Sequence, residues 1–344
     1  MLDIGALRER LRAAGARPVH EERVLRQWSR AEPQANGRQR PEDFLPLALR
    51  AALPALEAEL RALAVLRADH ASADGSRRLL VDLADGRSVE SVLLPRGGLC
   101  VSSQIGCAVG CVFCMTGVGG LERQLGSAEI VAQVALARTL RPVTKVVFMG
   151  MGEPAHNLDA VLDAIDLLGS GGGIGHKNLV LSTVGDRRVF ERLPLGRVKP
   201  ALALSLHSTN AALRARLLPR APAIAPDELV ALGDAYARAT GYPMQVQWTL
   251  LDGVNDSAAE IDGLVRLLAG KFAILNLIPY NEVDGLTLAR PAAERSRAMA
   301  RELHARGILT KLRQSAGQDV QAGCGQLRAR HAHGGARRIE IVAA

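Results

Sequence analysis

From Leu99 onward the chain alternates between short apolar runs and amphipathic stretches. This alternation restricts the fold more than any other feature. The runs LCVSSQI, TKVVFMG, NLVLST, ALALSL, MQVQWTLL, FAILNLI and ILTKLR read as strands. Between them, SAEIVAQVALARTL, LDAVLDAIDLL, PDELVALGDAYARA and SAAEIDGLVRLLAG carry helical periodicity. Sustained strand–helix alternation needs parallel strands with helices outside, as a barrel or an open doubly wound sheet. In both, ligands gather at the C-terminal ends of the strands.

The segment before Leu99 has a different pattern. LRERLRAA, EERVLRQWSRA and LPLALRAALPALEAELRALAVL space apolar residues three and four apart, which predicts short helices to about residue 66. SRRLLVDLADGRSVESVLLP then forms two alternating runs around Ala84-Asp85-Gly86-Arg87, a β-hairpin signal. The expected organisation is an N-terminal helical accessory domain over 1–70, a β-hairpin linker over 71–98, the strand–helix body over 99–327 and a basic tail over 328–344.

Composition bounds the function. The net charge is +8 over 344 residues. Much of the excess is arginine near the N-terminus (Arg8, Arg10, Arg12, Arg23, Arg26, Arg30, Arg38, Arg40) and in the tail (Arg328, Arg330, Arg337, Arg338). A polyanionic partner fits this balance, because each neutralised phosphate releases counterions. An arginine-rich solvated surface fits it equally well. Aromatic residues make up 3%, so base-stacking platforms would be sparse. No apolar run reaches membrane-spanning length, and the start, MLDIGALRERLRAAGARPVH, lacks a signal-peptide pattern. We therefore expect a cytoplasmic protein without a membrane partner. In that compartment cysteines more often bind metal or catalyse than form structural disulfides.

Three of the 5 cysteines fall within GCAVGCVFC: Cys107, Cys111 and Cys114. Zinc sites usually pair two Cys-x2-Cys units, or join one to two histidines, and neither partner follows here. Tight runs of thiolates hold iron–sulfur clusters. Three cysteines on a [4Fe–4S] cluster leave one iron open to another ligand. Gly106 and Gly110 let the loop wrap tightly, and Phe113 could shield it from water. GMGEP follows the second strand and His207 the fourth, so these segments fall at the same end of the sheet as the cysteines.

With an aromatic before the last cysteine, this spacing resembles the radical S-adenosylmethionine (SAM) enzymes. GLCVSSQIGC, GMGEPAHN, LSTVG, ALALSLHSTN, LDGVND, NLIPYN and AGCGQL occur in this order and together resemble the RlmN/Cfr family of RNA adenine methyltransferases. The resemblance runs from about Ser88 to Leu327. It implies a partial (β/α)6 barrel with an N-terminal helical accessory domain and a short hairpin. It also implies a [4Fe–4S] cluster on Cys107, Cys111 and Cys114, two SAM molecules per turnover and a flavodoxin-like one-electron donor. Contacts to SAM would come from Gly152, Glu153, Ser182, Ser205, Leu206, His207 and Asn281. Taken singly, His207 reads as a satisfied interior histidine, and the two serines as polar strand ends.

The same resemblance gives roles to Cys324, Glu90 and Cys100. Cys324 would take a methyl group from one SAM. A 5′-deoxyadenosyl radical from the second would remove a hydrogen atom from that S-methyl, and the carbon radical would add to C2 or C8 of adenine. Glu90 would remove the ring proton, and Cys100 would release the product as a transient disulfide with Cys324. Read from the residues alone, Cys100 and Cys324 are two buried, inert thiols, and Glu90 is an outward carboxylate on a hairpin strand. Gly323 and Gly325 fit a mobile loop around Cys324. The RNA would be rRNA, tRNA or another RNA, with the arginine-rich segments gripping its phosphates. The sequence departs from the family pattern at Arg123-Gln124-Leu125, at Ala212, at Leu218-Pro219-Arg220-Ala221-Pro222 and at Gly323, places where RNA could be read. A radical-SAM enzyme with another substrate would not need Cys100 and Cys324. A non-enzymatic RNA-binding metalloprotein would not cleave SAM.

Overall fold

The computed structural model describes residues 2–35, 40–283 and 285–328. Arg38, Arg330, Arg337 and Arg338, and all of the expected tail except Arg328, lie outside the described residues.

Three helices open the chain: α1 (Ile4–Ala13), α2 (Pro18–Ser29) and α3 (Leu47–Ala62). α1 and α3 bury apolar stripes, such as Leu49, Leu53, Leu56 and Leu60 on α3, whereas α2 buries Val24 and Leu25 beside the polar His20, Glu21, Gln27 and Ser29. α1 and α4 (Ser127–Leu140) cap each other. The Ser127 Oγ accepts from the Ile4 N–H at 2.9 Å, and Asp3 Oδ1 accepts from the Ser127 N–H at 2.9 Å. Apolar residues from these helices and from the body form one continuous core.

The residues after α3 do not continue the helix expected to about 66. Val65–Ala71 is a strand, β1. It pairs antiparallel with β2 (Arg77–Asp82), which pairs antiparallel with β3 (Ser88–Leu94). A neighbouring strand that supplies ladder partners outweighs the good helix formers just before it. The expected boundary at 70/71 thus falls inside a strand. The hairpin turn sits at Leu83–Arg87 as anticipated, closed by the Leu83 N–H on the Arg87 carbonyl at 2.7 Å.

β3 joins β4 (Gly98–Cys100) antiparallel, so the hairpin continues the main sheet edge-on. Parallel pairing then runs through β7 (Lys145–Phe148), β8 (Leu179–Thr183), β9 (Ala201–Ser205), β10 (Met244–Leu250), β11 (Ala273–Pro279) and β12 (Thr310–Leu312). Helices α4, α5 (Leu158–Ser170), α6 (Arg187–Arg192), α7 (Ala211–Leu217), α8 (Pro226–Thr240), α9 (Ala258–Leu268) and α10 (Ala293–Ala305) fill the connections. Six strand–helix units followed by β12 make the partial barrel. β1 and β12 are the two edges of the sheet.

The first predicted strand, 99–105, ends early for a visible reason. The Gln133 amide of α4 takes both backbone groups of Ser102: its Oε1 accepts from the Ser102 N–H and its Nε2 donates to the Ser102 carbonyl, each at 2.9 Å. The chain leaves the ladder there. It resumes as β5 (Gln104–Gly106), paired antiparallel with β6 (Leu121–Gln124) in a separate two-stranded ribbon. This ribbon forms the base of the cysteine loop.

Candidate active site

The ribbon pinches the cysteine loop shut at its root. The Cys107 N–H donates to the Gly120 carbonyl at 2.8 Å. Gly106 lies at φ +74°, and a Cβ there would stand 2.0 Å from the Gly120 oxygen. Only glycine fits that approach. Cys107, Cys111 and Cys114 then line one cavity at the C-terminal ends of the barrel strands, together with Phe113, Glu153, Ser182, Ser205, His207 and Cys324.

Burial pushes all three thiols up, Cys107 to about 12. For Cys107 and Cys111 the neighbouring Glu153 carboxylate and Cys114 thiol add to the effect. Thiolates persist in such a place only against a strong cation. Among the described residues no three His, Cys, Asp or Glu side chains close on a single metal ion. Three soft sulfur donors around one cavity suit an iron–sulfur cluster, whose thiolates bind separate irons.

Glu153 is buried at the start of the turn after β7. Its Oε1 accepts from the Ala155 N–H at 3.1 Å, and its Oε2 from the Val184 N–H at 3.0 Å. Burial still outweighs these bonds and lifts its carboxyl to about 7. Gly150 and Gly152 let the strand end pass close to its neighbours. A Cβ on Gly150 would meet the Val101 carbonyl at 2.6 Å, and one on Gly152 the Gln104 side chain at 2.6 Å.

Ser182 and Ser205 face each other from β8 and β9, their hydroxyls 3.5 Å apart. His207 follows β9 at φ +61°. Its Nδ1 accepts from the Thr249 N–H at 2.9 Å, and its ring stands edge-on to Phe113 with centroids 4.9 Å apart. Burial, with the Arg214 charge behind it, holds the imidazole at about 3, so it is neutral. Arg214 is itself buried; it donates to the Val184 carbonyl and sits near Cys111 and Glu153.

Two of the residues expected to contact SAM sit apart from this cavity lining. The Leu206 side chain belongs to the apolar core rather than the cavity. Asn281 spends its Nδ2 on Ser315 Oγ at 2.8 Å and on the Cys324 carbonyl at 3.0 Å, so it supports the Cys324 segment. Its buried Oδ1 has no partner among the described residues.

The structure brings Cys100 and Cys324 together across 224 positions of sequence. Both are free thiols. They are close enough that a charge on Cys324 raises Cys100, which burial already pushes far up. Cys324 lies open at the cavity mouth. Its flanking glycines serve close packing. A Cβ on Gly323 would meet Asn281 Nδ2 at 2.7 Å; one on Gly325 (φ +85°) would meet the Phe113 carbonyl at 2.9 Å. The segment is tied to the cysteine loop by the Met115 N–H on the Gly325 carbonyl at 2.8 Å and by Thr116 Oγ1 on the Leu327 carbonyl at 2.6 Å.

Glu90 is buried, not outward-facing. Registers place it on the same face of the sheet as Cys100, through the Val92–Cys100 pair. Arg78 pairs with it, and the Arg328 N–H donates to its Oε2 at 2.7 Å. Sequence reasoning missed Arg78 and Arg214. It also missed Gln247 and Thr249, which line the cavity. A signal for the last two existed: polar residues recur at every second position of MQVQWTLL.

Many N-terminal arginines have internal duties. Arg10 makes a two-pronged pair with Glu59 at 2.6 and 2.7 Å, and Arg12 pairs with the buried Glu21 at 2.8 Å. Arg30 Nε donates to the Gly171 carbonyl at 2.8 Å. These charges are less available to phosphates than the sequence implied. No helix among the described residues is long and apolar enough to cross a membrane.

Comparison with known proteins agrees with this geometry. The family model for the radical SAM superfamily matches residues 101–265. A protein of Methylibium petroleiphilum named "Probable RNA methyltransferase" is 73% identical over 338 residues, covering 98% of this chain and 96% of its own. One of the same name from Pseudomonas aeruginosa is 64% identical over 334 residues, covering 96% of both chains. A solved radical SAM methyltransferase from Sphaerobacter thermophilus is 36% identical, with a TM-score of 0.81 over 96% of this chain and 98% of that one.

Proposed function

The chain belongs to the radical SAM family of RNA methyltransferases, its cofactors being a [4Fe–4S] cluster and SAM, and from that premise we propose that it methylates a ring carbon, C2 or C8, of an adenosine in rRNA or tRNA. The observation that carries this reading is the pair of thiols, Cys100 and Cys324, converging beside the three-cysteine cavity.

Cys107, Cys111 and Cys114 would hold the cluster. When bound, cluster and SAM together supply a carbon-centred radical, able to activate a C–H bond that no side chain could attack. Glu153, with its carboxyl near neutrality, would accept a hydrogen bond from the SAM amine. Gly152, Ser182, Ser205 and His207 would shape the rest of the cofactor's bed, and Phe113 and His207 would exclude water. The neutral imidazole of His207 adds no competing charge. Asn281 would hold the Cys324 segment through its Nδ2, its Oδ1, unpartnered among the described residues, remaining able to accept from the cofactor. A flavodoxin-like protein would supply the electron.

An adenine ring carbon is a poor nucleophile, so direct displacement on a methyl sulfonium fails there. A thiolate is a good one. Cys324 would therefore receive the methyl group first and carry it to the base, which divides one inaccessible step into feasible ones. Glu90 would take the ring proton once the Arg328 N–H and Arg78 release it. Cys100, on the same sheet face, would attack the Cys324 sulfur; the sulfur–carbon bond would break with its electron pair and a proton going to the transferred carbon, which frees the methylated base and leaves a Cys100–Cys324 disulfide for an external thiol reductant to reopen.

The test is mass spectrometry of the reconstituted protein after incubation with SAM. One methyl group on the Cys324 peptide, absent in Cys324→Ala, is expected. With RNA present, Cys100→Ala should retain a covalent protein–RNA species under denaturing conditions. An unmodified Cys324 peptide in active enzyme would exclude the carrier role.

A further inference from the structure

Strand registers identify the side chains that point into the barrel. Ser205 lines the cavity and pairs with Gln247, Gln247 with Asn276, and Asn276 with Lys311. Paired residues share a face, so Lys311 points into the lumen, as does Arg313 two residues on. The Arg313 guanidinium lies 3.5 Å from the Asn276 Oδ1, which agrees with this direction. On the other side of the lumen Ser182 lines the cavity, Val180 lies two residues before it, Val180 pairs with Val147, and Lys145 lies two before that.

No Asp or Glu occupies a lumen-facing position on β4 or on β7 to β12. The charges that face Lys145 are those of Arg313 and Lys311, and all three repel. Arg313 also lies near the Cys324 thiol. Lys311 and Arg313 are exposed and Lys145 is half-buried, so the group opens to solvent. β12 is an edge strand. The chain after it crosses the open side of the barrel toward β2 and β3, where Arg78 Nε donates to the Val320 carbonyl at 2.7 Å. The cations stand beside that crossing.

Three like charges gathered with no acid on the strand positions beside them cost stability unless an anion joins them. Lysine meets phosphate as a point charge and arginine as a two-pronged donor. We propose that Lys145, Lys311 and Arg313 seat adjacent backbone phosphates of the RNA strand whose adenosine is presented to Cys324. This inference rests on the RNA-methyltransferase reading above. It places a grip on RNA at the open side of the barrel, in addition to any that the N-terminal arginines provide.

The test uses the full-length reconstituted protein and a fluorescent synthetic RNA hairpin with an unpaired loop adenosine, read by anisotropy over a series of KCl concentrations. Removing one phosphate-neutralising cation should lower the slope of log affinity against log salt by about 1. Lys311→Gln/Arg313→Gln together should bind at least about tenfold more weakly at low salt, with the slope smaller by about 2. Lys145→Gln alone should reduce the slope by about 1, and Arg313→Lys should keep the wild-type slope. Wild-type affinity and slope in the folded variants would overturn the proposal. So would slower RNA-independent methylation of Cys324 with RNA binding intact, which would assign the cations to the thiol. A wild-type protein that binds no RNA would overturn the underlying reading as well.

Discussion

Arg78 joins Glu90 to the segment that carries Cys324. It forms a largely buried ion pair with the Glu90 carboxylate, while its Nε donates to the Val320 carbonyl at 2.7 Å, four residues before the thiol. The Arg328 N–H, four residues after it, donates to the other Glu90 oxygen at 2.7 Å. The proposed base and both ends of the proposed methyl carrier thus share one network.

Removing only one partner of that pair should be costly. Arg78→Met leaves the buried Glu90 carboxylate without its counter-charge and should destabilise the fold by about 3–5 kcal/mol in urea unfolding. The double variant Arg78→Met/Glu90→Gln should recover a large part of that loss. Additive single effects in the double-mutant cycle would show that the two side chains act independently.

Glu153 gives the apo-protein a pH signature. Its carboxyl is raised from an ordinary 4.5 to about 7. The folded state therefore holds this proton after the unfolded chain has released it. The contribution to stability is full below about pH 4.5 and is lost as pH rises through 7, amounting to about 3 kcal/mol between the limits. Thermal melts of wild type and Glu153→Gln should diverge across this window, the wild type losing more stability as pH rises. Parallel curves would contradict the assignment.

Gly106→Ala should damage the cysteine loop more than the barrel. The new Cβ would fall 2.0 Å from the Gly120 oxygen, at a φ of +74°. We expect a loss of about 2–4 kcal/mol and a marked drop in iron bound per chain after anaerobic reconstitution. A variant with full iron content would show that the ribbon does not set the loop geometry.

Local pattern made the barrel legible. Buried parallel strands such as ALALSL are continuous apolar runs, and the helices between them keep a polar face. The three cysteines could be read for a similar reason, since their chemistry depends on spacing along the chain. What remained hidden depended on partners distant in sequence. VLRADHA is a strand because the hairpin beside it offers a ladder, and LCVSSQI breaks because Gln133 takes the Ser102 backbone. Glu90 looked outward until the sheet continued past β3 and buried its face. Asn281 was expected at the cofactor, yet its amide holds the Cys324 carbonyl 43 residues away. The lumen cations depend on the registers of four parallel strand pairs, which no single segment displays.

The central claim is that a methyl group reaches an adenine ring carbon by way of Cys324. Nucleoside mass spectrometry of RNA treated with the reduced, reconstituted protein and SAM tests it most directly. The account predicts a ring-carbon methyladenosine with the wild type and none with Cys324→Ala. Methylation that persists undiminished in Cys324→Ala, or RNA left without any methyladenosine by an enzyme that cleaves SAM, would contradict it.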